Sequence, residues 1–150
     1  TDKEKIQPES ETLLLPGRVL RAVQAEFSCG FCTDAQGAQT IGKTFRENHY
    51  LLDTHTAVAC TVLDAYRSGT GDQTLTVVES TASPFKFCAS VLDALGVTEH
   101  APGTGVLAQL TAETGRPAPK PLASLAGKPV RFDQVTDRGD MRAVVTEFLR

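Results

Sequence analysis

The sequence has few cysteines, no long apolar run and no excess of either charge, and each shortage closes off a class of protein. Four cysteines, at positions 29, 32, 60 and 88, are few for a disulfide scaffold of 150 residues. Two of them fall on apolar helical faces, so reduced, packed thiols are expected. Cys29-Gly30-Phe31-Cys32 has the C-x-x-C form, but a redox pair needs a strand just before it, and Gly17 to Ser28 reads as a helix. Zinc would need a second paired motif, and His49, His55 and His100 do not recur at the spacing of a metal helix. No metal site is expected. No stretch approaches the ~20 apolar residues that span a bilayer, and the opening TDKEKIQPES has no apolar signal core, so the expected location is the cytoplasm. With 15 basic and 18 acidic residues the net charge is −3, which provides no electrostatic footprint for nucleic acid or an anionic membrane. The chemistry has to be sought in a site.

What is present suits one ordinary globular domain. The length allows a sizeable core, and 41% hydrophobic with 22% charged residues gives no sign of disorder beyond the first ten or so positions. About six helices are legible from period and caps. Val19, Leu20, Val23 and Phe27 form one apolar stripe; Ala38, Ile41 and Phe45 form the next, behind an Asp34 cap. A third helix begins after Asp53 and Thr54, with Val58, Val62 and Ala65 on one face, and stops near the Gly69-Thr70-Gly71-Asp72 turn. Phe85, Cys88, Val91, Leu92 and Leu95 recur at helical spacing, with Pro84 suited to the first position and Gly96 to the stop. Gly105 to Thr114 is a modest helix, and residues 115–121 read as a proline-rich connection. Met141, Val144, Val145, Phe148 and Leu149 define the last helix, capped by Asp137.

Only one segment reads firmly as a strand: Thr74 to Glu79, apolar on both faces like the middle of a parallel sheet. A middle strand needs neighbours, since each backbone group buried unpaired costs ~1–3 kcal/mol. Thr12 to Leu15 and Pro129 to Phe132 are weak candidates, so the missing neighbours are expected upstream, in a longer polypeptide. The fold class expected is therefore α/β.

The chemistry-bearing residues cluster in two places. One is Thr76 to Ser90, TVVESTASPFKFCAS, where the strand runs into a hydroxyl-rich turn and then a helix. In open α/β sheets ligands bind beyond the carboxyl ends of the strands, where a helix N-terminus offers free N–H groups and about half a positive charge. The other is Tyr50 to Ala59, YLLDTHTAVA, one helix upstream. In this order and spacing the two stretches resemble the C-terminal part of threonine synthase, a pyridoxal-phosphate enzyme that converts O-phosphohomoserine and water to threonine and phosphate. The likeness extends to the helix from Asp34 to Asn48 and to the tail from Lys120-Pro121-Leu122 to Leu149.

The resemblance implies a helix-rich fragment of a fold-type II, tryptophan synthase beta-like enzyme. Positions 1–150 would form one C-terminal domain: an extended or partly disordered 1–16, helices around the strand over 17–100, and an extension over 101–150. It also implies a lyase of amino-acid biosynthesis whose partners are the remaining N-terminal part of the enzyme and a small substrate, O-phosphohomoserine. A chain left with an exposed strand edge could dimerise through it. The family's Schiff-base lysine and glycine-rich phosphate loop have no counterpart here. The six lysines, at 3, 5, 43, 86, 120 and 128, all stand outside the matching context. The chain alone is therefore expected to be inactive; a stand-alone, non-catalytic binding domain derived from the enzyme is the alternative.

By the same resemblance, Thr81, with Ser80 beside it, stands where a hydroxyl meets the pyridine nitrogen of the cofactor. A hydroxyl, unlike a carboxylate, does not hold that nitrogen protonated, which tempers the electron sink. The bland reading of Thr81 is a turn hydroxyl. Ser83 replaces the histidine more usual in the family, and reads either as a pocket residue or as an N-cap for the Pro84 helix. Lys86, in the first helical turn, either faces a phosphate or lies in solvent. Asp53-Thr54-His55-Thr56 matches a family pattern in which proline usually stands at Thr54. Asp53 and Thr54 cap a helix, while His55 and Thr56 either pack at its first turn or shape the substrate pocket. No Ser-His-Asp order or paired-carboxylate motif forms an independent catalytic centre.

Overall fold

The computed structural model of the protein describes residues 16–150, and seven α-helices and three short 3₁₀ turns occupy them. The weak strand candidate at Thr12 to Leu15 and most of the expected N-terminal extension lie outside the described residues. The helices α1 (Gly17–Glu26), α2 (Asp34–Asn48) and α3 (Thr54–Thr70) come first, followed by a 3₁₀ turn at Pro84–Lys86 and α4 (Cys88–Ala94). Then come α5 (Gly105–Thr114), α6 (Lys120–Ala123) and α7 (Met141–Phe148), with 3₁₀ turns at Ser124–Gly127 and Arg138–Asp140.

Sequence chemistry explains where these helices start and stop. Thr33 accepts from the Gln36 N–H while Gln36 Oε1 accepts from the Thr33 N–H, a reciprocal capping box. The cap of α2 is thus Thr33, one residue before the Asp34 expected for it. α2 closes on His49, whose φ of 55° is left-handed, and the Arg116 guanidinium donates to the His49 carbonyl. Asp53 caps α3, and Gly71, at φ 72°, ends it with its N–H donating to Arg67 O at 2.8 Å. The helix expected to run unbroken from Pro84 instead pauses at Phe87 between the 3₁₀ turn and α4. Asp137 precedes the Arg138–Asp140 turn without a side-chain cap bond, and α7 follows that turn.

The core is built from α2, α4, α5 and the approach to α3. Ile41, Leu52, Ala57, Phe85, Cys88, Val91, Leu92 and Leu110 are buried together. Four of the five residues expected on the Phe85-to-Leu95 stripe are in that set, and Leu95 packs against it half-buried. α2 and α4 approach so closely at Gly42 that a Cβ there would stand 2.6 Å from the Ala94 carbonyl oxygen. α3 lies on α2 through a hydrogen bond of 2.7 Å between the Thr40 and Thr61 hydroxyls. Its buried side carries Thr56 and Ala57, while Val58, expected on the buried face, is exposed. α1 buries no residue, and its stripe of Val19, Leu20, Val23 and Phe27 is exposed.

The α/β expectation does not hold. Among the described residues there is no strand and no sheet, so neither the fold class nor the parallel-type strand over Thr74 to Glu79 stands. That segment has no regular structure, and Leu75 and Val77 are 93% and 85% exposed. Pro129 to Phe132 is likewise irregular, with Val130 and Phe132 exposed. The physical reason is that a strand exists only through a ladder with a second segment, and no described segment offers one. Side-chain contacts fix the start of the stretch instead. The Thr74 N–H and hydroxyl donate to Asp72 Oδ1 at 2.8 and 2.6 Å, and Arg67 on α3 donates to Thr74 O at 3.0 Å and Thr76 Oγ1 at 3.2 Å.

Candidate functional site

The helix start at Asp53 and the turn at Ser80, far apart in sequence, meet around one buried carboxylate. Asp53 is 1% exposed. As the N-cap of α3 its Oδ1 accepts the His55 N–H at 2.8 Å and the Thr56 N–H at 3.2 Å, satisfying two donors that the helix leaves free. Its Oδ2 faces the other way, accepting the Thr56 hydroxyl and, at 3.4 Å, the Ser80 hydroxyl. Thr56 Oγ1 and Ser80 Oγ are themselves 3.0 Å apart. Burial pushes the Asp53 carboxyl up, yet the bonds from Thr56, His55 and Ser80 outweigh it and hold it below the ordinary aspartate value.

The remaining candidates differ in burial. Thr56 is buried with its hydroxyl turned inward. The His55 ring is 65% exposed, 3.5 Å from Asp53 Oδ1, and tilts against the Phe87 ring at a centroid distance of 5.0 Å. Phe87 therefore closes the contact between the start of α3 and the segment before α4. Ser80 and Thr81 are exposed, and the Thr81 hydroxyl has no hydrogen-bond partner among the described residues. Ser83 is half-buried and caps the 3₁₀ turn by accepting the Phe85 N–H at 3.3 Å. Lys86 is exposed at the end of that turn and forms no ion pair among the described residues.

His55, Thr56 and Ser80 are thus brought together, while Thr81, Ser83 and Lys86, on the same short segment as Ser80, make no side-chain hydrogen bond or ion pair to them among the described residues. Sequence reasoning gave Asp53 a capping role and missed its hold on Ser80. It missed Phe87 altogether. The Asp-x-x-Thr spacing from Asp53 to Thr56 puts both on the first turn and signals their pairing, but nothing in the sequence points across to residue 80.

The matching profile of known proteins is the one described as "Threonine synthase, C-terminal", over residues 56–146. The chain belongs to that family. Curated relatives include Threonine synthase-like 1 of Mus musculus, 33% identical over 82 residues, covering 54% of this chain and 10% of the relative. The same-named protein of Homo sapiens is 30% identical over 81 residues, again covering 54% of this chain and 10% of the relative. The chain spans about a tenth of the length of the curated relatives it matches. The profile of this threonine synthase family begins at Thr56 and takes in Ser80 to Lys86, so most of the candidate site lies inside the match.

Cofactor chemistry can be tested against the residues present. An exposed hydroxyl without a partner among the described residues, next to one held by a buried carboxylate, suits the ring end of pyridoxal phosphate, where a nitrogen seeks a hydrogen bond. The turn offers no glycine cradle for the phosphate end. Of the cysteines, Cys29 is exposed and Cys32 half-buried, both as free thiols. Among the described residues no group of three or more His, Cys, Asp or Glu side chains is placed to hold a metal, and no helix is long and apolar enough to cross a membrane.

Proposed function

We propose that this chain is the C-terminal part of a threonine synthase, which converts O-phospho-L-homoserine and water to L-threonine and phosphate using pyridoxal phosphate. The observation that supports this most is the exposed Thr81 hydroxyl, without a hydrogen-bond partner among the described residues, on a turn whose neighbouring Ser80 is tied to buried Asp53, within a chain of this family. When bound, the cofactor supplies the electron sink that lets protons leave carbon. Thr81 donates its hydroxyl to the ring nitrogen. Ser80 lies beside it, and Ser83, Lys86, His55 and Thr56 shape the substrate side of the pocket. Lys86, the cation on this segment, faces the phosphate of the substrate. The catalytic base is a lysine supplied by the remaining N-terminal part of the enzyme, so this chain is a lyase component that does not turn over substrate alone.

The test is Thr81→Ala in the intact protein. The cofactor absorbance should shift and phosphate release should slow. An unchanged spectrum with wild-type kinetics removes Thr81 from the site and the proposal with it.

A further inference from the structure

A small cleft opens where the two stretches that carry the candidate site approach a third element. Tyr50 and Leu51 from the first stretch, Pro84 and Phe85 from the second, and Arg116 from just after α5 line about 240 Å³. Pockets that enclose a whole drug-sized ligand run to roughly 300–1,000 Å³, so this cleft suits a single head group. Among the described residues Arg116 is its one charged wall, and no carboxylate lines it. Gly115, at φ 66°, ends α5, and the Arg116 guanidinium then reaches back to donate to the His49 carbonyl. That contact, one residue before Tyr50, anchors the guanidinium at the Tyr50 end of the cleft. A guanidinium has five N–H donors. No other side-chain hydrogen bond and no ion pair engages this one among the described residues.

We propose that Arg116 binds the phosphate group of the phosphomonoester substrate, as a second cation besides Lys86. The inference rests on the reading that O-phosphohomoserine is the substrate and that Lys86 meets its phosphate. A phosphomonoester carries close to two negative charges at pH 7 and three acceptor oxygens, more than one ammonium can neutralise. Arginine stays charged at any working pH, and its planar fork matches two phosphate oxygens at once. Lys86 directly follows Phe85, a wall of the cleft, so the other cation belongs to the same turn. The apolar walls keep water from the sides of an anion bound there, which strengthens its pairing with the guanidinium. Because His49 already anchors that guanidinium, less side-chain freedom is lost when phosphate binds.

Arg116→Gln and Arg116→Lys separate phosphate binding from support of the His49 carbonyl. Both replacements can donate a hydrogen bond to that carbonyl, but only lysine keeps the charge. The readouts, in the intact protein, are turnover of O-phospho-L-homoserine and its inhibition by inorganic phosphate. In Arg116→Gln the KM and the phosphate inhibition constant should both rise about ten-fold, the scale of one charge-assisted hydrogen bond, while kcat changes little. Arg116→Lys should recover most of both losses, although the two variants melt at similar temperatures.

Wild-type constants in Arg116→Gln, equal losses in the two variants, or losses that track melting temperature overturn the assignment. So does a raised KM with an unmoved phosphate inhibition constant, since Arg116 would then hold the carboxylate of the substrate. If any of these appears while Thr81→Ala still shifts the cofactor spectrum, the assignment alone is lost. If the intact protein neither turns over O-phospho-L-homoserine nor binds it, the substrate reading falls first and takes the assignment with it.

Discussion

Thr56 Oγ1 lies 3.0 Å from Ser80 Oγ, across 24 residues of sequence, and joins the first turn of α3 to the hydroxyl-rich turn ahead of α4. The contact sits on a buried carboxylate, so the placement of the candidate site and the stability of the helix start share one side chain. Acid should therefore weaken both.

The direction of that pH dependence follows from Asp53. Burial raises its carboxyl, and the hydrogen bonds from Thr56, His55 and Ser80 more than offset that, leaving the folded value below the unfolded one. Such a group stabilises the fold fully above the unfolded value, about 3.9 for aspartate, and loses its contribution as pH falls through the folded value. Denaturant unfolding of wild type and Asp53→Asn should differ most near neutrality and converge below about pH 4. A gap that widens in acid contradicts a carboxyl held below its ordinary value by these bonds.

Gly42 and Gly69 make opposite predictions from the same substitution. At Gly42 a Cβ would meet the Ala94 carbonyl oxygen at 2.6 Å, a backbone atom that gives way only if α2 and α4 separate. Gly42→Ala should cost about 1–3 kcal/mol by overpacking. Gly69, inside α3, has nothing within 4 Å of that position. Gly69→Ala should stabilise by about 0.5–1 kcal/mol, since alanine loses less backbone freedom in a helix. Urea melts of the two variants check both signs.

Leu92 and Leu75 separate the real core from the expected one. Leu92 is fully buried between α4 and its neighbours, so Leu92→Ala should cost about 2–5 kcal/mol. Leu75, on the stretch expected to be a central strand, is 93% exposed, and Leu75→Ala should change stability by no more than about 0.5 kcal/mol. Equal losses at the two positions would mean that Leu75 is covered.

These contrasts show what could be read along the chain. The stripe from Phe85 to Leu92 became core because its helical period is a local property, and Gly105–Thr114 emerged as expected. The face of α3 was misread because it packs on α2 through the Thr40–Thr61 hydroxyl pair and small Ala57, which an apolar count passes over in favour of Val58. The apolar run at 75–78 signalled a strand, but strand pairing depends on a second segment and is not written in the first. At the site, His55, Thr56, Ser80 and Thr81 were legible one by one. Their link through Asp53 was not, because a capping aspartate looks the same whether or not its second oxygen reaches another turn.

The thiols offer a probe of packing that does not depend on the site. Cys29 is exposed, whereas Cys88 is buried in the core and donates to the Phe85 carbonyl at 3.2 Å. Burial pushes the Cys88 thiol up, and burial aided by the charges of Asp64 and Asp53 does the same to Cys60. Because the thiolate is the reacting form, alkylation in native protein should reach Cys29 first and Cys60 and Cys88 last. Mass spectrometry over a time course reads the order. Adding denaturant should abolish the spread, since the protection comes from packing. Early labelling of Cys88 without denaturant would show that α4 opens from α2, and Gly42→Ala, which forces those two helices apart, should hasten labelling there while leaving the rate at Cys29 unchanged.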